Sequence, residues 1–238
     1  MKIEKYKLLI YGFVICAILS YIVYSFLLVN KSIEMFSNKI YDVLIISAGG
    51  GGTTYFMDYL LKNTDLKIND INDKDTLKHI SFNRKIELNN VNCEKIIYLY
   101  NDPLLAIKSH FRRNWAINQL KKHGNPHKLK EADVTNIDNF LEKTEKNNKD
   151  LYGIEEQYDF YMNGKINKHI LFVNFNNILK NKKQIADFIG EDEHLFDNFK
   201  IKSRNSNNID KGSKIIINIY KELYYKINKM DATIKTYI

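Results

Sequence analysis

An α/β fold, with a parallel sheet covered by helices on both faces and preceded by one transmembrane helix, is what this sequence predicts. Three observations lead there. Residues Tyr41 to Leu60 read as a buried strand, a turn of four glycines and an amphipathic helix. Short β-branched apolar runs alternate with helical patterns along the rest of the chain, the signature of a parallel sheet. Ahead of them, Leu8 to Val29 carries no charged residue, a stretch of about 22 residues that matches the hydrocarbon thickness of a bilayer.

These features divide the 238 residues into a short basic tail (1–7), a signal-anchor helix (8–29), a stem (30–40) and one α/β domain (41–238). A cleaved signal peptide would have a shorter apolar core and a small-residue cleavage site, and none follows Val29. Lys2, Lys5 and Lys7 precede the apolar run, whereas Lys31 and Lys39 are balanced by Glu34 and Asp42 after it. That bias predicts a single-pass, type II membrane protein whose domain lies on the non-cytosolic side. The lipid bilayer is then a partner of residues 8–29.

Within the domain the elements follow in order. Val43 to Ile46 is the first strand and Thr53 to Lys62 the first helix. Lys67 to Asp75 is a polar loop. Thr76 to Ser81 is expected to form a short strand and Glu94 to Leu99 a clearer one. Asn101-Asp102-Pro103 supplies a turn and a cap, with Pro103 near the first helical position, where its missing N–H costs nothing. That helix should run on to Trp115, with Phe111 and Trp115 in the core. Lys121 to Asp150 reads as a polar insertion or lid. Ile154 to Met162 is helical, His169 to Val173 a strand, and Gln184 to Ile189 a helix closed by Gly190. After a polar loop, Lys202 to Ser213, one last helix carries Ile216, Ile219, Leu223, Ile227 and Met230 at steps of three and four.

The formal charge of +8 is spread along the chain rather than massed, which implies a solvated surface with mild attraction for anions. No Arg-rich or aromatic-basic module is present, so nucleic acid is not an expected partner. Cys16 and Cys93 form no disulfide framework, and His110, His123, His127, His169 and His194 have no metal-ligand spacing. No metal is expected. Glu155 and Glu156 read as exposed helix positions.

Chemistry concentrates at the glycine turn. A strand, a Gly-rich turn and a helix N-terminus bring unpaired N–H groups together where the helix dipole favours negative charge. Phosphate or sulfate is the natural guest. Around this turn, Gly51-Gly52-Thr53-Thr54-Tyr55, Leu77-Lys78-His79, Ile96 to Trp115 and Ile170 to Gly190 follow one another in an order that resembles the sulfotransferases using 3′-phosphoadenosine-5′-phosphosulfate. The resemblance spans about Tyr41 to Asn207. It implies a P-loop-like architecture with that nucleotide as co-substrate and a hydroxyl on a glycan, lipid or protein as acceptor. Gly50, Gly51, Gly52, Thr53, Thr54 and Tyr55 would hold the 5′-phosphosulfate. Asn101, Ser109, Arg112 and Arg204 would lie around the 3′-phosphate, and His79 would be the general base.

The chain departs from the family pattern twice. The loop lysine falls at Gly50 and the 3′-segment arginine at Asn101, so both phosphate sites lose a cation; Lys78, Lys108, Arg112, Arg113 and Arg204 are the available substitutes. A strand over 76–81 would also point Lys78 and His79 to opposite faces. Two other readings therefore stand beside the enzyme. One is a membrane-anchored, non-catalytic protein that keeps the fold. The other is a nucleotide kinase or NTPase, disfavoured because no Gly-Lys-Ser/Thr follows the glycines.

Overall fold

The computed structural model describes residues 14–25, 39–164, 166–201, 211–229 and 233–236. These divide into two compact units, one comprising residues up to Ile40 with Asn90–Asn92, the other Tyr41–Asn89 and Cys93 onward. In the first unit, residues 14–25 are helical and expose large apolar side chains, including Ile15, Leu19, Tyr21 and Tyr24. Among the described residues no helix is long and apolar enough to cross a membrane. The span expected over 8–29 is thus not found; 8–13 and 26–29 lie outside the described residues, as do most of the stem and Arg204.

The second unit is α/β. Three parallel strands, β1 (Leu44–Ile46), β2 (Lys95–Tyr100) and β3 (His169–Asn174), lie side by side in chain order, and β4 (Thr233–Thr236) joins β3 antiparallel. The helices are α1 (Thr53–Asn63), α2 (Lys85–Asn90), α3 (Pro103–Arg112), α4 (Ala116–Lys122), α5 (Ile137–Asn147), α6 (Ile154–Asn163), α7 (Lys182–Ile189), α8 (Lys211–Ile219) and α9 (Lys221–Asn228).

The parallel strands are apolar nearly throughout because both their faces are covered. On one face Ile45, Ile97, Leu99, Leu171 and Val173 pack with Phe56, Met57 and Leu60 of α1 and with Ile185 and Ile189 of α7. On the other, the register sets Tyr98 beside Phe172. Tyr158 and Tyr161 of α6 close over this pair, with the Tyr98–Tyr161 ring centroids 4.8 Å apart. Helices on both faces are therefore observed.

The site is positioned by a reversal at β1. Val43 makes a parallel bridge with Ile68 on the side of β1 away from β2. Buried Asn69 extends that pairing: its side-chain oxygen accepts from Ile45 N at 2.7 Å and its amide donates to Ile45 O at 3.0 Å. The chain leaves β1 toward one side, through α1, and later places β2 on the other. The carboxyl end of β1 is a topological switch point, where open α/β sheets bind their ligands, and the glycine turn begins there.

Four expectations are corrected. Thr76–Ser81 is not a strand, since Asp73 and Thr76 adopt left-handed φ of 61° and 58°. Asp side chains stitch that segment into successive turns, with Asp75 accepting from Asp70 N and Leu77 N, and Asp73 from Lys78 N. The helix from Pro103 stops at Arg112, because Asn114 at φ 54° turns the chain before α4. Lys121–Asp150 is not an open lid: it carries α5, whose buried Phe140 meets Phe111 at 5.3 Å. The last helix is two, divided at Tyr220, whose buried hydroxyl donates to Asp150.

Candidate functional site

Ser47 to Gly52 bridge β1 and α1. Gly50 and Gly52 adopt left-handed φ of 71° and 93°, and both are closely enclosed. A Cβ at Gly50 would lie 2.7 Å from Ala106 Cα, and one at Gly52 would lie 2.4 Å from the Phe175 ring. Glycine is required there by conformation and by space together. Ser47 fastens the turn from within, its hydroxyl accepting from Gly49 N at 3.0 Å and from Thr53 Oγ1 at 2.7 Å. Gly50 to Thr54 donate none of the main-chain hydrogen bonds that tie the neighbouring turns together, and α1 has no side-chain cap. The N–H groups of Thr53 and Thr54 in its first turn are thus without a main-chain acceptor beside the positive end of the helix dipole.

Above the turn lies a pocket of about 550 Å³ lined by Gly50, Gly52, Thr53, Thr54 and Tyr55, together with Lys78 and His79. The irregular course of 73–80 brings those last two side chains together, as a strand would not. Lys78 Nζ donates to Thr54 Oγ1 at 2.7 Å and to Ile71 O at 2.8 Å. Burial lowers its pKa and the nearby Asp73 opposes that shift. A cation therefore stands against the glycine turn although the turn has none of its own. His79 Nδ1–H donates to Ser47 O at 2.9 Å, since a carbonyl oxygen can only accept. That bond leaves Nε2 with the lone pair. Burial, aided by the charges of Lys78 and Lys122, holds the imidazole neutral well below its ordinary range and outweighs the bond to Ser47. A neutral imidazole oriented in this way keeps its Nε2 lone pair as an acceptor.

Compared with family models, with curated proteins and with solved structures, the chain matches none.

The pocket's far wall comes from the α3–α4 corner. Arg113, Trp115, Gln119 and Lys122 line it, and Lys122 is ion-paired with Asp73. Trp115 is 51% exposed rather than in the core. Behind the turn, Gln119 donates to Ala48 O at 3.0 Å, and His123 Nδ1 meets Tyr152 O at 3.1 Å. His110 also lines the pocket, stacked on Tyr152 at 5.5 Å, and neither of its ring nitrogens has a partner. Burial pushes the His110 pKa down to about 3 and lowers that of His123.

Of the residues expected around a second phosphate, few come together. Asn101 lies close to the turn, 3.1 Å from where a Gly51 Cβ would stand, but its side-chain oxygen already accepts from Asn176 Nδ2 and Asp102 N. Ser109 is buried in α3 and does not line the pocket, and Arg112 is exposed outside it. The cations that do line the pocket besides Lys78 are Arg113 and Lys122. Among the described residues no three His, Cys, Asp or Glu side chains converge as a metal site would require. His110, Gln119 and Lys122 line the pocket without belonging to any sequence motif; the spacing of three between Gln119 and Lys122 on α4 is the local signal for the last two.

Proposed function

We propose that the second unit transfers a sulfuryl group from 3′-phosphoadenosine-5′-phosphosulfate to an acceptor hydroxyl. What carries this reading is that Lys78 and His79, neighbours in sequence, both reach the one pocket above the glycine turn, Lys78 bonded to Thr54 and His79 oriented by Ser47. Lys78 takes the role of the cation missing at Gly50. The N–H groups of Gly50 to Thr54 hold the 5′-phosphosulfate, and Arg113 and Lys122 serve the second phosphate in place of Asn101, Ser109 and Arg112. In the transfer an acceptor O–S bond forms as the S–O bond to the donor phosphate breaks. The electron pair leaves with that phosphate oxygen, and the hydroxyl proton passes to His79 Nε2. No metal is needed in this scheme, since fixed N–H groups and Lys78 supply the charge stabilisation.

Binding without transfer is the second reading, favoured by Ser109 lying outside the pocket and by Asn101 standing where a cation is expected. For either, residues 8–29 would hold the protein in a lipid bilayer, single-pass, with the N-terminal lysines on the cytosolic side. The exposed apolar side chains of 14–25 support this anchor.

Calorimetric titration of the full-length protein in detergent with 3′-phosphoadenosine-5′-phosphate tests the donor site. Binding is expected, weakened by about 10- to 100-fold in Lys78→Met, the worth of one charge-assisted hydrogen bond. No heat of binding at millimolar nucleotide would remove the assignment. Given binding, sulfate transfer lost in His79→Ala supports the enzyme, whereas no transfer by the unaltered protein to any hydroxyl acceptor favours the second reading.

A further inference from the structure

The peptide that opens the glycine turn is held at both ends. On one side Gly49 N donates to Ser47 Oγ at 3.0 Å. On the other, Ala48 O accepts from Gln119 Nε2 at 3.0 Å, a bond between residues 71 positions apart. The missing side chain of Gly49 makes room for it: a Cβ there would stand 2.8 Å from Gln119 Nε2, on a residue already at a left-handed φ of 83°. A peptide unit is planar, so fixing both its C=O and its N–H fixes the direction in which the chain leaves it. The N–H groups of Gly50 to Thr54 follow from that direction.

Gln119 is itself held from behind. A carbonyl oxygen only accepts, so the group facing Ala48 O is the amide NH2, which has a second N–H to give. His123, one helical turn beyond Gln119, places Nε2 3.1 Å from that nitrogen. Nε2 is then the acceptor, and the ring proton sits on Nδ1, where it is donated to Tyr152 O at 3.1 Å. Nε2 also lies 2.9 Å from Ala48 O, and the two accept from the same amide. Burial lowers the His123 pKa, in keeping with a ring that carries one proton. Tyr152 is anchored in turn, its N donating to Asp150 Oδ1 at 2.8 Å and its hydroxyl to Ala116 O at 3.1 Å. Gln119, His123 and Tyr152 are all buried. A buried polar relay closed from end to end makes the segment it holds rigid.

We propose that Gln119 is a positioning residue of the anion cradle, and that His123, which does not line the pocket, acts on the cradle through Gln119. The assignment of a nucleotide to that cradle rests on the donor reading above; the relay itself does not. Ser47, which grips Gly49 N, also offers the carbonyl that orients His79. The relay thus keeps the cradle and that imidazole in one register.

Two measurements on the full-length protein in detergent test this. Calorimetric titration with 3′-phosphoadenosine-5′-phosphate, and separately with inorganic pyrophosphate, reads the cradle. Amide exchange followed by NMR reads Gly49 N–H against Ile97 and Leu171 in the sheet. Gln119→Met fills a similar volume without a donor and is expected to weaken both ligands by about three- to tenfold, the worth of one neutral hydrogen bond. It should also speed exchange at Gly49 more than in the sheet. His123→Phe should weaken both ligands less, and the double variant no more than Gln119→Met alone, since the two residues act in series. A direct contact between Gln119 and the ligand would leave His123→Phe at full affinity, and that result overturns the relay even where Gln119→Met does not fold. Unchanged affinity in Gln119→Met overturns it too, as does a Gly49 amide that exchanges freely in the unaltered folded protein. Nucleotide bound equally by parent and variants removes the positioning role and leaves the donor reading. Pyrophosphate bound by the parent and weakened in the variants, with no nucleotide binding, removes the donor reading and leaves the relay. Binding of neither anion overturns both.

Discussion

His110 presents two ring nitrogens to the protein interior, and neither finds a partner. An unmet buried polar group costs about 1–3 kcal/mol, and exchanging it for an apolar group of similar shape removes that cost. His110→Phe keeps the stack on Tyr152 and is therefore expected to raise stability by about 1 kcal/mol at neutral pH. Urea denaturation measures this; a variant less stable than the parent would show that an internal water or a rearranged turn already satisfies the imidazole. Gly52 lies at the other extreme of fit. Ala there must hold a left-handed φ and push against the Phe175 ring. Together these cost about 2–4 kcal/mol, and Gly52→Ala should lower the urea midpoint accordingly. An unchanged midpoint would mean that the turn has room the packing does not show.

Among the elements, α3 was the most legible. Asp102 caps it, accepting from Leu104 N at 2.8 Å, and Pro103 occupies its first position, as Asn-Asp-Pro implied. Only the folded chain shows that Tyr224 of α9 also donates to this carboxylate, at 2.5 Å. The cap thereby ties α3 to a helix far along the chain. Asp102→Ala should cost about 1–2 kcal/mol for the cap, and Tyr224→Phe combined with it should be less than additive, since both remove the same bond. Strict additivity in denaturation experiments would refute that link. Segment 76–81 differs from the expected strand because apolar Leu77 and Ile80 look strand-like, whereas Asp side chains at 70, 73 and 75 offer the backbone local partners that a strand cannot match. Those turns are also what lets Lys78 and His79 share the pocket.

For the whole molecule, three buried or half-buried imidazoles among the described residues make the fold sensitive to acid. His79, His110 and His123 are neutral in the fold, held there chiefly by burial, whereas in the open chain each takes up a proton near pH 6.5. The unfolded state then binds more protons below 6.5, so stability is full above that pH and falls as pH drops beneath it. For His110, whose pKa lies at about 3, the loss by pH 5 is about 2 kcal/mol. Urea midpoints at pH 7.5 and 5.0 should differ in that direction, and His110→Phe should narrow the gap. Equal midpoints would mean that the imidazoles reach solvent.

By itself the sequence determined the parallel strands, the strand–glycine turn–helix unit and the cap at Asp102, because each follows from local periodicity, backbone freedom or a side chain reaching its own main chain. Tertiary structure alone decided which residues face the pocket. The α3–α4 corner, the turns over 73–80 and the reversal of chain direction at β1 bring Lys78, His79, Arg113 and Lys122 together. That convergence depends on contacts between residues remote in sequence, and no local pattern encodes them.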